Sequence, residues 1–450
     1  MITMNNTMSL SYGCKFVIDT LLKSGFEAYA VGGCVRDSLL GIEPKDYDVT
    51  TNALPQDIKR VFSSCKTVDT GIKHGTVSVI AGGEIIEVTS YRSDGEYLDC
   101  RRPESVSFGV SLDEDLMRRD FTVNAMAYSE KTGLVDPFSG RADIENKLIR
   151  CVGNPDKRFG EDALRILRAL RFASVYGFSI ENDTAKSIHR NKSLLKHIAS
   201  ERIFSELTRL LCGSSAGDIL LDFCDVFSVF IPQLEQCREL FLCGENHRQT
   251  LISHIARAVD AVSPTPELRL AMLLHDIAKP LCESTDENSK QCFSPHSKPS
   301  AVIAREILTS LKAPSRLIAQ VEILVEYHDF KCNADEREIK RLMRKIGRQN
   351  TLLIFSEIRR ADITAQNGAD KEHRLEYINR CAEIAQRLID ENACVSLSGL
   401  AVNGGDIIAL GVKEGRGVGK ILDVLLTRVI DGTIENEKET LLKAVKNEYI

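Results

Sequence analysis

The sequence lacks the features that mark membrane and secreted proteins. No apolar run in its 450 residues approaches the ~18 residues that a membrane-spanning helix needs. Its first residues, MITMNNTMSLSYG, have neither the basic start nor the apolar core of a secretory signal. We therefore predict a cytoplasmic protein without a membrane partner.

An excess of positive charge and paired cysteine motifs are also missing. Lysine and arginine number 58 against 64 aspartates and glutamates, so a nucleic-acid partner would have to be bound by a local basic surface. The 14 cysteines include no CxxC pair and no repeated spacing. This pattern favours reduced thiols over a disulfide framework or a zinc site. The length predicts two to four domains.

The most informative stretch spans residues 29–51 and reads YAVGGCVRDSLLGIEPKDYDVTT. Asp46 and Asp48 lie two residues apart in a strand-like segment, so their carboxylates are predicted to share one face. Neighbouring carboxylates repel each other, and Mg²⁺ relieves that repulsion because it prefers one or two carboxylates together with phosphate oxygens. The pair Gly32-Gly33 would let backbone N–H groups approach a triphosphate. The combination disfavours the alternative, a surface turn followed by an acidic strand.

The residues around this stretch predict alternating helices and strands. Expected helices cover 12–25, 34–40 and 54–61, and expected strands cover 27–31, 76–80 and 85–91, the last two joined as a hairpin by Gly82-Gly83. Glu87 lies in the middle of the last strand, where a carboxylate is poorly placed unless it is exposed or paired. We predict that Glu87 is a third acidic residue of the site and not merely an edge residue facing solvent.

A polar segment and a patterned helix follow. Residues 92–108 contain Gly, Pro and both charges, which predicts a mobile loop beside the site. The sequence EDALRILRALRF at 161–172 separates into two sides when plotted at 100° per residue. The apolar side holds Ala163, Leu164, Ile166, Leu167 and Leu170, the polar side holds Glu161, Asp162, Arg165 and Arg168, and Arg171 lies near the apolar margin. An ordinary amphipathic helix with i,i+3 ion pairs would give the same pattern.

Histidines and aspartates recur in the helical second half of the chain. The pair His275-Asp276 closes an apolar helix in LLHDIAKP, and the other members lie in or beside helix-forming runs. Imidazole and carboxylate ligands together suit a divalent metal that activates water. We predict a metal site in preference to unconnected core histidines. Its candidate ligands are His254, His275, Asp276, His296, His328 and Asp362.

Five motifs occur in a fixed order within residues 25–210: VGGCVRD…KDYDVTT, GTVSVI…IEVTSYR, RRDFTVNAMAY, DPFSGRADIENKLIR and RFGEDALRILRALRF. Together they resemble the class II tRNA nucleotidyltransferases, which are the CCA-adding enzymes, and their bacterial poly(A) polymerase relatives. The histidine–aspartate pattern resembles the HD phosphohydrolase domain that some bacterial CCA-adding enzymes carry. The resemblance implies an α+β multidomain protein: a β-polymerase-like nucleotidyltransferase head, with a mixed sheet and helices, followed by an all-helical neck, body, HD domain and tail.

The same resemblance assigns roles to individual residues. It implies that Asp46 and Asp48 hold Mg²⁺, with Glu87 assisting. It implies that the nucleotide is bound by Gly32, Gly33 and Arg36 at the triphosphate, by Arg119 with Asp120 near the ribose, by Asp162 and Arg165 at the base, and by Arg168 and Arg171 in support. A carboxylate can accept from an exocyclic amine and a guanidinium can donate to ring acceptors, so a protein helix face would select C or A without a nucleic-acid template.

The expected domains are a head at 1–145, a neck and body for base selection and tRNA binding at 146–245, an HD domain at 246–365 and a helical tail at 366–450. The expected function is template-independent addition of CCA to tRNA from CTP and ATP. A second divalent metal in the HD domain would serve hydrolysis of phosphate or 2′,3′-cyclic phosphate ends. Alternatives are a poly(A) polymerase, an enzyme that adds only CC or only A, and an HD phosphohydrolase whose head only docks RNA.

Overall fold

A mixed sheet of seven strands forms the centre of the first part of the chain. The strands of this region, in chain order, are β1 (Ala28–Val31), β2 (Asp48–Thr51), β3 (Lys66–Gly71), β4 (Thr76–Ala81), β5 (Glu84–Ser90), β6 (Arg92–Asp94), β7 (Val106–Phe108), β8 (Ala127–Ser129) and β9 (Gly133–Val135). The sheet order is β3-β4-β5-β2-β1-β8-β9, while β6 and β7 pair separately. All neighbours in the sheet are antiparallel except β2 and β5, which are parallel.

The structure is a computed structural model that describes residues 8–95, 105–243, 248–285, 291–293, 295–366 and 370–450. The chain divides into two compact units, Met1–Pro232 and Gln233–Ile450. The sheet and its helices belong to the first unit, and the second unit is predominantly helical.

The predicted hairpin of the head is confirmed. β4 and β5 are joined by Gly82 and Gly83, whose φ angles of 61° and 85° are those of a left-handed two-residue turn that favours glycine. Alternate residues of the two strands, among them Val77, Val79 and Val88, are completely buried. Burial of alternate β-branched side chains fixes the register of the hairpin, because a slip by one residue would expose them.

Helices surround the sheet and continue beyond it, as the sequence predicts. In the first unit they are α1 (Tyr12–Lys23), α2 (Gly33–Leu39), α3 (Pro55–Val61), α4 (Leu112–Met117), α5 (Gly140–Glu145), α6 (Pro155–Glu161), α7 (Leu164–Tyr176), α8 (Asn182–Asn191), α9 (Ser200–Leu211), α10 (Ala216–Asp222) and α11 (Cys224–Phe227). A short parallel pair, β10 (Leu148–Ile149) and β11 (Ser179–Ile180), lies among these helices.

Two sequence-based expectations are wrong in detail. Residues 161–172 are not one helix: α6 ends at Glu161, Asp162 is extended with φ −139° and ψ 103°, and α7 begins at Leu164. The break occurs because the Asp162 carboxylate accepts the N–H of Leu164 at 3.0 Å, a helix-starting interaction that aspartate favours. The apolar side predicted for this segment is nevertheless buried throughout.

The second correction concerns Asp46, which precedes the strand instead of lying within it. β2 begins at Asp48, where pairing with β5 starts, and its pairing with β1 starts at Val49. Asp46 lies in a bend with no ladder partner on either side. The predicted loop at 92–108 is described only at its two ends, β6 and β7, and residues 96–104 lie outside the described part of the chain.

The described residues of the second unit form helices and two short pairs of antiparallel strands. The helices are α12 (Gln233–Glu239), α13 (Leu251–Ala261), α14 (Pro266–Leu274), α15 (Ser297–Ser310), α16 (Ser315–Glu326), α17 (Glu336–Ile346), α18 (Arg348–Leu353), α19 (Arg360–Ala365), α20 (Lys371–Asp390), α21 (Gly404–Ala409), α22 (Arg416–Ile430) and α23 (Lys438–Tyr449). The paired strands are β12 (Phe241–Cys243), β13 (Arg248–Thr250), β14 (Ser284–Thr285) and β15 (Gln291–Cys292).

A π-helical turn, Ile354–Arg359, connects α18 with α19, and the last three helices close on an apolar core of their own. That core includes Ile407, Leu425 and Leu441, each at most 1% exposed. Among the described helices, none combines the length and apolar character needed to cross a membrane.

Candidate active site and histidine-rich cluster

The acidic residues of the head come together on neighbouring strands. Asp48 of β2 stands directly opposite Glu87 of the parallel strand β5. Both side chains are exposed, as is Asp46 in the bend before β2. The structure therefore places Glu87 beside Asp48, as a third acidic residue of the site would have to be placed.

The surroundings of Asp48 disfavour its negative charge. Partial desolvation raises the pKa of Asp48, and the negative charges of Glu87 and Asp46 raise it further, while Arg119 opposes the shift. A divalent ion held by carboxylates would remove this repulsion. Because the donors are carboxylates that remain open to solvent, they fit Mg²⁺, which keeps waters and takes phosphate oxygens as further ligands.

The glycine turn fits closely against an arginine. Gly32 has φ 81°, in the left-handed region, and a Cβ atom there would lie 2.7 Å from Nη1 of Arg119. Only glycine satisfies both conditions without displacing the guanidinium. The Nε atom of Arg119 is buried without a hydrogen-bond partner among the described residues, so the side chain retains donor capacity for a ligand.

A chain of polar contacts joins the head to α7. Arg36 of α2 donates to Asn124, and Asn124 donates to Asp120 at 3.0 Å. Asp120 in turn accepts from Arg168 of α7 at 2.6 Å. Burial would raise the pKa of Asp120, but Arg168 and Asn124 outweigh it and lower the pKa far below its usual range. Three predicted nucleotide-binding residues, Arg36, Asp120 and Arg168, are thus held in one network with Asn124.

Two aromatic rings of α7 hold the guanidinium of Arg36. Its Cζ atom lies 5.0 Å from the ring centre of Phe172 and 4.9 Å from that of Tyr176. Tyr176 also donates to Asp37 at 3.0 Å. Cation–π contacts and hydrogen bonds therefore orient Arg36 toward the glycine turn from which α2 starts.

Of the two residues predicted to read the base, Asp162 lies at the helix break and Arg165 lies in the first turn of α7. Arg165 donates to Glu161 at 2.6 Å and to the backbone carbonyl of Arg118 at 3.0 Å. Asp162 pairs with Arg202 of α9 at 3.1 Å. Both are half-buried, so their orientations are fixed by protein contacts before any ligand binds.

Arg171 differs from the other predicted nucleotide-binding residues. Its Nε donates to Glu206 of α9 at 2.5 Å, and its Cζ lies 4.0 Å from the ring centre of Phe172. Both partners hold it between α7 and α9, as its position at the apolar margin suggests. Within the described contacts it supports the helix packing and does not join the Asp120 network.

The second unit gathers all six predicted metal ligands. Oδ2 of Asp276 lies 3.3 Å from Nε2 of His254 and 3.1 Å from Nε2 of His275, and Asp362 Oδ1 lies 3.2 Å from His254 Nε2. Oδ1 of Asp276 lies on the other side, 3.0 Å from Nε2 of His296 and 3.5 Å from Nε2 of His328. The cluster therefore consists of two adjacent ligand sets that share Asp276.

Backbone contacts orient the histidines as metal ligands. Nδ1 of His275, His296 and His328 each meets a backbone carbonyl within 2.9 Å, which leaves Nε2 as the acceptor nitrogen of the neutral ring. The Nε2 atoms of His296 and His328 then face each other at 3.1 Å. Oδ1 of Asp276 is buried without a hydrogen bond from the described residues. Facing lone pairs beside an unpaired carboxylate oxygen fit a cation between them.

The carboxylates of the cluster favour the protonated form of two of its histidines. Burial alone would lower the pKa of His275, but Asp276 and Asp362 raise it to about 9, and they raise the pKa of His254 too. Burial lowers the pKa of His328. The pKa values of Asp276 and Asp362 lie well below their usual range because the histidines and Lys279 outweigh the effect of burial.

Several residues of these sites escaped the sequence analysis. Lys279 lies 2.5 Å from Asp276, and its i,i+3 spacing in HDIAK is a signal that could have found it. Glu161, the partner of Arg165, has the i,i+4 spacing of an ion pair, although a helix break separates the two residues. Arg202 carries no comparable signal, because it is forty residues from its partner Asp162.

The fold and the site of the first unit are those of a nucleotidyltransferase. The mixed sheet carries neighbouring carboxylates, and the glycine turn lies beside arginine side chains. Family models agree along the chain: the poly(A) polymerase head domain matches residues 28–150, an RNA- and SrmB-binding site of polymerase A matches 177–237, and tRNA nucleotidyltransferase domain 2 matches 292–445.

Comparison with known proteins defines the family. A CCA-adding enzyme of Geobacillus kaustophilus is 35% identical over 428 residues, 94% of each chain. The crystal structure of the Bacillus stearothermophilus CCA-adding enzyme in complex with CTP is 30% identical, with a TM-score of 0.68 over 96% of this chain and 95% of that one. The Thermotoga maritima CCA-adding enzyme complexed with tRNA shares the fold at 20% identity, with a TM-score of 0.60. This chain belongs to the family of CCA-adding enzymes.

Proposed function

We propose that this chain adds C, C and A to the 3′ end of tRNA, using CTP and ATP and no nucleic-acid template. The observation that carries the proposal is the identity of 35% across 94% of both this chain and a CCA-adding enzyme. The acidic cluster of β2 and β5 beside the glycine turn supports it independently, since nucleotidyl transfer needs carboxylates that hold a divalent ion.

In the proposed reaction, Asp46, Asp48 and Glu87 would hold Mg²⁺. Bound there, Mg²⁺ would favour ionisation of the attacking 3′-hydroxyl and neutralise charge on the leaving pyrophosphate. Residues of the glycine turn and two arginines would bind the triphosphate. Gly32 and Gly33 bring backbone N–H groups to the triphosphate, and Arg36 and Arg119 supply positive charge beside it.

Base selection is proposed for Asp162 and Arg165. The carboxylate accepts from the exocyclic amine that cytosine and adenine both have, and the guanidinium donates to a ring nitrogen or carbonyl. Uracil and guanine present a different order of donors and acceptors, so the polar groups of the site would remain unpaired against them. Glu161 and Arg202 are positioned to keep both side chains in place.

One experiment separates this function from its alternatives. Purified protein is incubated with tRNA lacking its 3′ CCA, with CTP and ATP separately and together, and products are resolved to single nucleotides. A ladder that stops after C, C and A supports the proposal. Long tracts of A would indicate a poly(A) polymerase. Arrest after CC would indicate an enzyme that adds only CC. Addition of A only to tRNA that already ends in CC would indicate an enzyme that adds only A.

The four-part organisation is also a proposal: head 1–145, neck and body 146–245, HD domain 246–365 and tail 366–450. It is supported by the seven-stranded sheet confined to the first of these ranges and by the separate apolar core of α21 to α23 in the last. The cytoplasmic location expected from the sequence remains a prediction.

A second, hydrolytic function is proposed for the histidine-rich cluster. The sharing of Asp276 between two ligand sets supports a pair of divalent ions, with His254, His275 and Asp362 on one side and His296 and His328 on the other. Such a pair would supply an activated water and a clamp for a phosphate group. The substrates proposed are RNA or nucleotides with a phosphate or 2′,3′-cyclic phosphate, tested with Mg²⁺, Mn²⁺, Ni²⁺ and Co²⁺ in turn.

A further inference from the structure

A small cavity lies one helical turn away from the metal ligand Asp362. Its volume is about 180 Å³, and it lies between the helical segment that carries Asp362 and the first half of α20. A space of this size has room for a phosphate group. Its polar lining comes from Arg359, Asp370, His373, Arg374 and Tyr377.

Two arginines dominate the charge of this cavity. Arg359 and Arg374 line the cavity together with one carboxylate residue, Asp370, and the exposed His373 adds a further nitrogen. Nε of Arg359 is buried and finds no hydrogen-bond partner among the described residues. A buried donor without an acceptor is destabilising, so an anion that reached this nitrogen would satisfy it.

Both arginines are also connected to the metal ligands. Nη1 of Arg359 makes a long contact, 3.5 Å, with the backbone carbonyl of His328. Arg374 donates to Gln366 at 2.7 Å, and Gln366 donates to Oδ1 of Asp362 at 2.9 Å. Hydrogen bonds therefore link the cavity to two of the proposed metal ligands, at the backbone carbonyl of His328 and at Oδ1 of Asp362.

We propose that this cavity binds a second phosphate of the substrate that the metal cluster hydrolyses. The inference rests on the hydrolytic function proposed above and narrows its substrate class to molecules with two phosphates in close succession. Guanidinium groups suit this role because their planar donors match phosphate oxygens. The second phosphate belongs either to an RNA strand that ends in a phosphate or to a nucleoside polyphosphate, and both have the chemistry that the cavity accepts.

The proposal is tested on the full-length protein by comparing substrates with and without a second phosphate. With the metal ions in place, KM and kcat are measured for an RNA oligonucleotide with a 3′-phosphate, for a nucleoside diphosphate and for p-nitrophenyl phosphate. Arg359→Ala and Arg374→Ala are expected to raise KM at least tenfold for whichever two-phosphate substrate is used, and to leave kcat/KM for p-nitrophenyl phosphate within about twofold. Which of the two substrates responds identifies the source of the phosphate.

Controls separate binding from positioning. Arg380→Ala changes an exposed arginine on the same helix and should leave every constant unchanged. Gln366→Ala removes the link between Arg374 and Asp362 and should lower kcat for all three substrates alike. If Arg374→Ala also lowers activity on all three alike, Arg374 acts through Asp362 and the proposal is overturned.

Direct binding keeps the proposal testable if the protein hydrolyses nothing. Inorganic phosphate is titrated calorimetrically into the metal-free full-length protein and into Arg359→Ala, Arg374→Ala and Arg380→Ala. The expected result is a binding event that is weakened at least tenfold by the first two substitutions and unaffected by the third, beside any phosphate binding at the head, which all four proteins share. Equal binding by all four proteins would overturn the cavity assignment, whereas absence of hydrolysis with this pattern intact would contradict only the hydrolytic function.

Discussion

The donors of Arg165 are engaged by Glu161 and by backbone carbonyls in the absence of a nucleotide. Such pre-orientation is what base selection by a protein surface requires, because a free arginine would adapt to any acceptor. Asp162 is restrained in the same manner by Arg202 and by the N–H of Leu164. The proposed base specificity therefore depends on the neighbouring residues that hold Asp162 and Arg165 as much as on these two residues themselves.

Loss of Arg165 should therefore relax base choice more than RNA binding. A good bidentate base contact discriminates by about 1–3 kcal/mol, roughly ten- to a hundredfold. We expect Arg165→Ala to reduce incorporation of C and A and to narrow the preference for CTP over UTP by at least tenfold. Single-nucleotide kinetics with the four triphosphates, beside a tRNA binding titration, measure both effects. Weakened tRNA binding with an unchanged CTP:UTP ratio would show that Arg165 contacts RNA instead.

The Asp120–Arg168 pair gives a pH-dependent prediction. The pKa of Asp120 is lowered in the folded protein, so its stabilising contribution is complete above its unfolded pKa, near 4, and is lost as pH falls toward the folded value. We expect Asp120→Asn to lower the free energy of unfolding by about 1–3 kcal/mol at pH 7. The difference from wild type should be constant between pH 7 and about 5 and shrink below 4. Denaturant unfolding at several pH values tests this, and a difference that grows on acidification contradicts it.

Individual residues varied in how well the sequence predicted them. Asp48 and Glu87 could be identified because a carboxylate inside a β-branched strand is conspicuous, and the parallel pairing puts them side by side. Arg202 and Asn124 could not, since their roles arise from contacts between segments far apart in the sequence. Periodicity describes one element at a time and carries no information about such contacts.

Among the secondary-structure elements, the junction between α6 and α7 is where the structure differs from the sequence pattern. Apolar periodicity runs through residues 161–172 without interruption, yet the backbone breaks at Asp162. The signal was local: aspartate often starts a helix by accepting a backbone N–H, and here it does so for Leu164. The helices 12–25 and 54–61 and the strands 27–31, 76–80 and 85–91 were predicted from their apolar patterns. The strands β3, β8 and β9 were not predicted, and helix boundaries depended on single polar contacts.

Two glycines of the first unit, one in a turn and one in a helix, allow a matched pair of substitutions. Gly32 has a positive φ and touches Arg119, whereas Gly160 in α6 has open space around its Cα. We expect Gly32→Ala to cost at least about 1–3 kcal/mol of stability and to displace Arg119, with loss of nucleotide addition. Gly160→Ala should be neutral or stabilise by up to about 1 kcal/mol. Thermal unfolding and incorporation assays on both variants test this; equal behaviour of the two would refute the role given to the turn.

At the scale of the whole molecule, the two sites belong to separate compact units. The acidic cluster and the arginines of α7 lie in Met1–Pro232, and all six histidine-cluster ligands lie in Gln233–Ile450. The sequence predicted this separation from the spacing of the motifs. It could not show that Asp276 would be shared by two ligand sets, because that depends on how α13, α14, α16 and α19 pack.

Substitutions in the histidine cluster should accordingly spare nucleotide addition. We expect His275→Ala to lower the content of bound metal and to abolish any hydrolysis of phosphate-ended RNA, with CCA addition within about twofold of wild type. His296→Ala should remove one of the two proposed ions and leave the other. Metal content by mass spectrometry, with incorporation assays on the same samples, gives the answer. Parallel loss of both activities would mean that the two sites are not independent.

Asp48 and its neighbours are proposed to catalyse the ordered addition of C, C and A. Single-nucleotide product analysis on tRNA lacking its 3′ CCA tests this role most directly, with wild type, Asp48→Ala and Asp113→Ala, an exposed aspartate on α4. We expect three additions in the order C, C, A by wild type and Asp113→Ala. We expect a loss of more than about a hundredfold for Asp48→Ala, since removing residues that only orient a metal ligand already costs about 10–100-fold. Near-normal addition by Asp48→Ala, or products other than CCA from the wild type, would contradict this proposal.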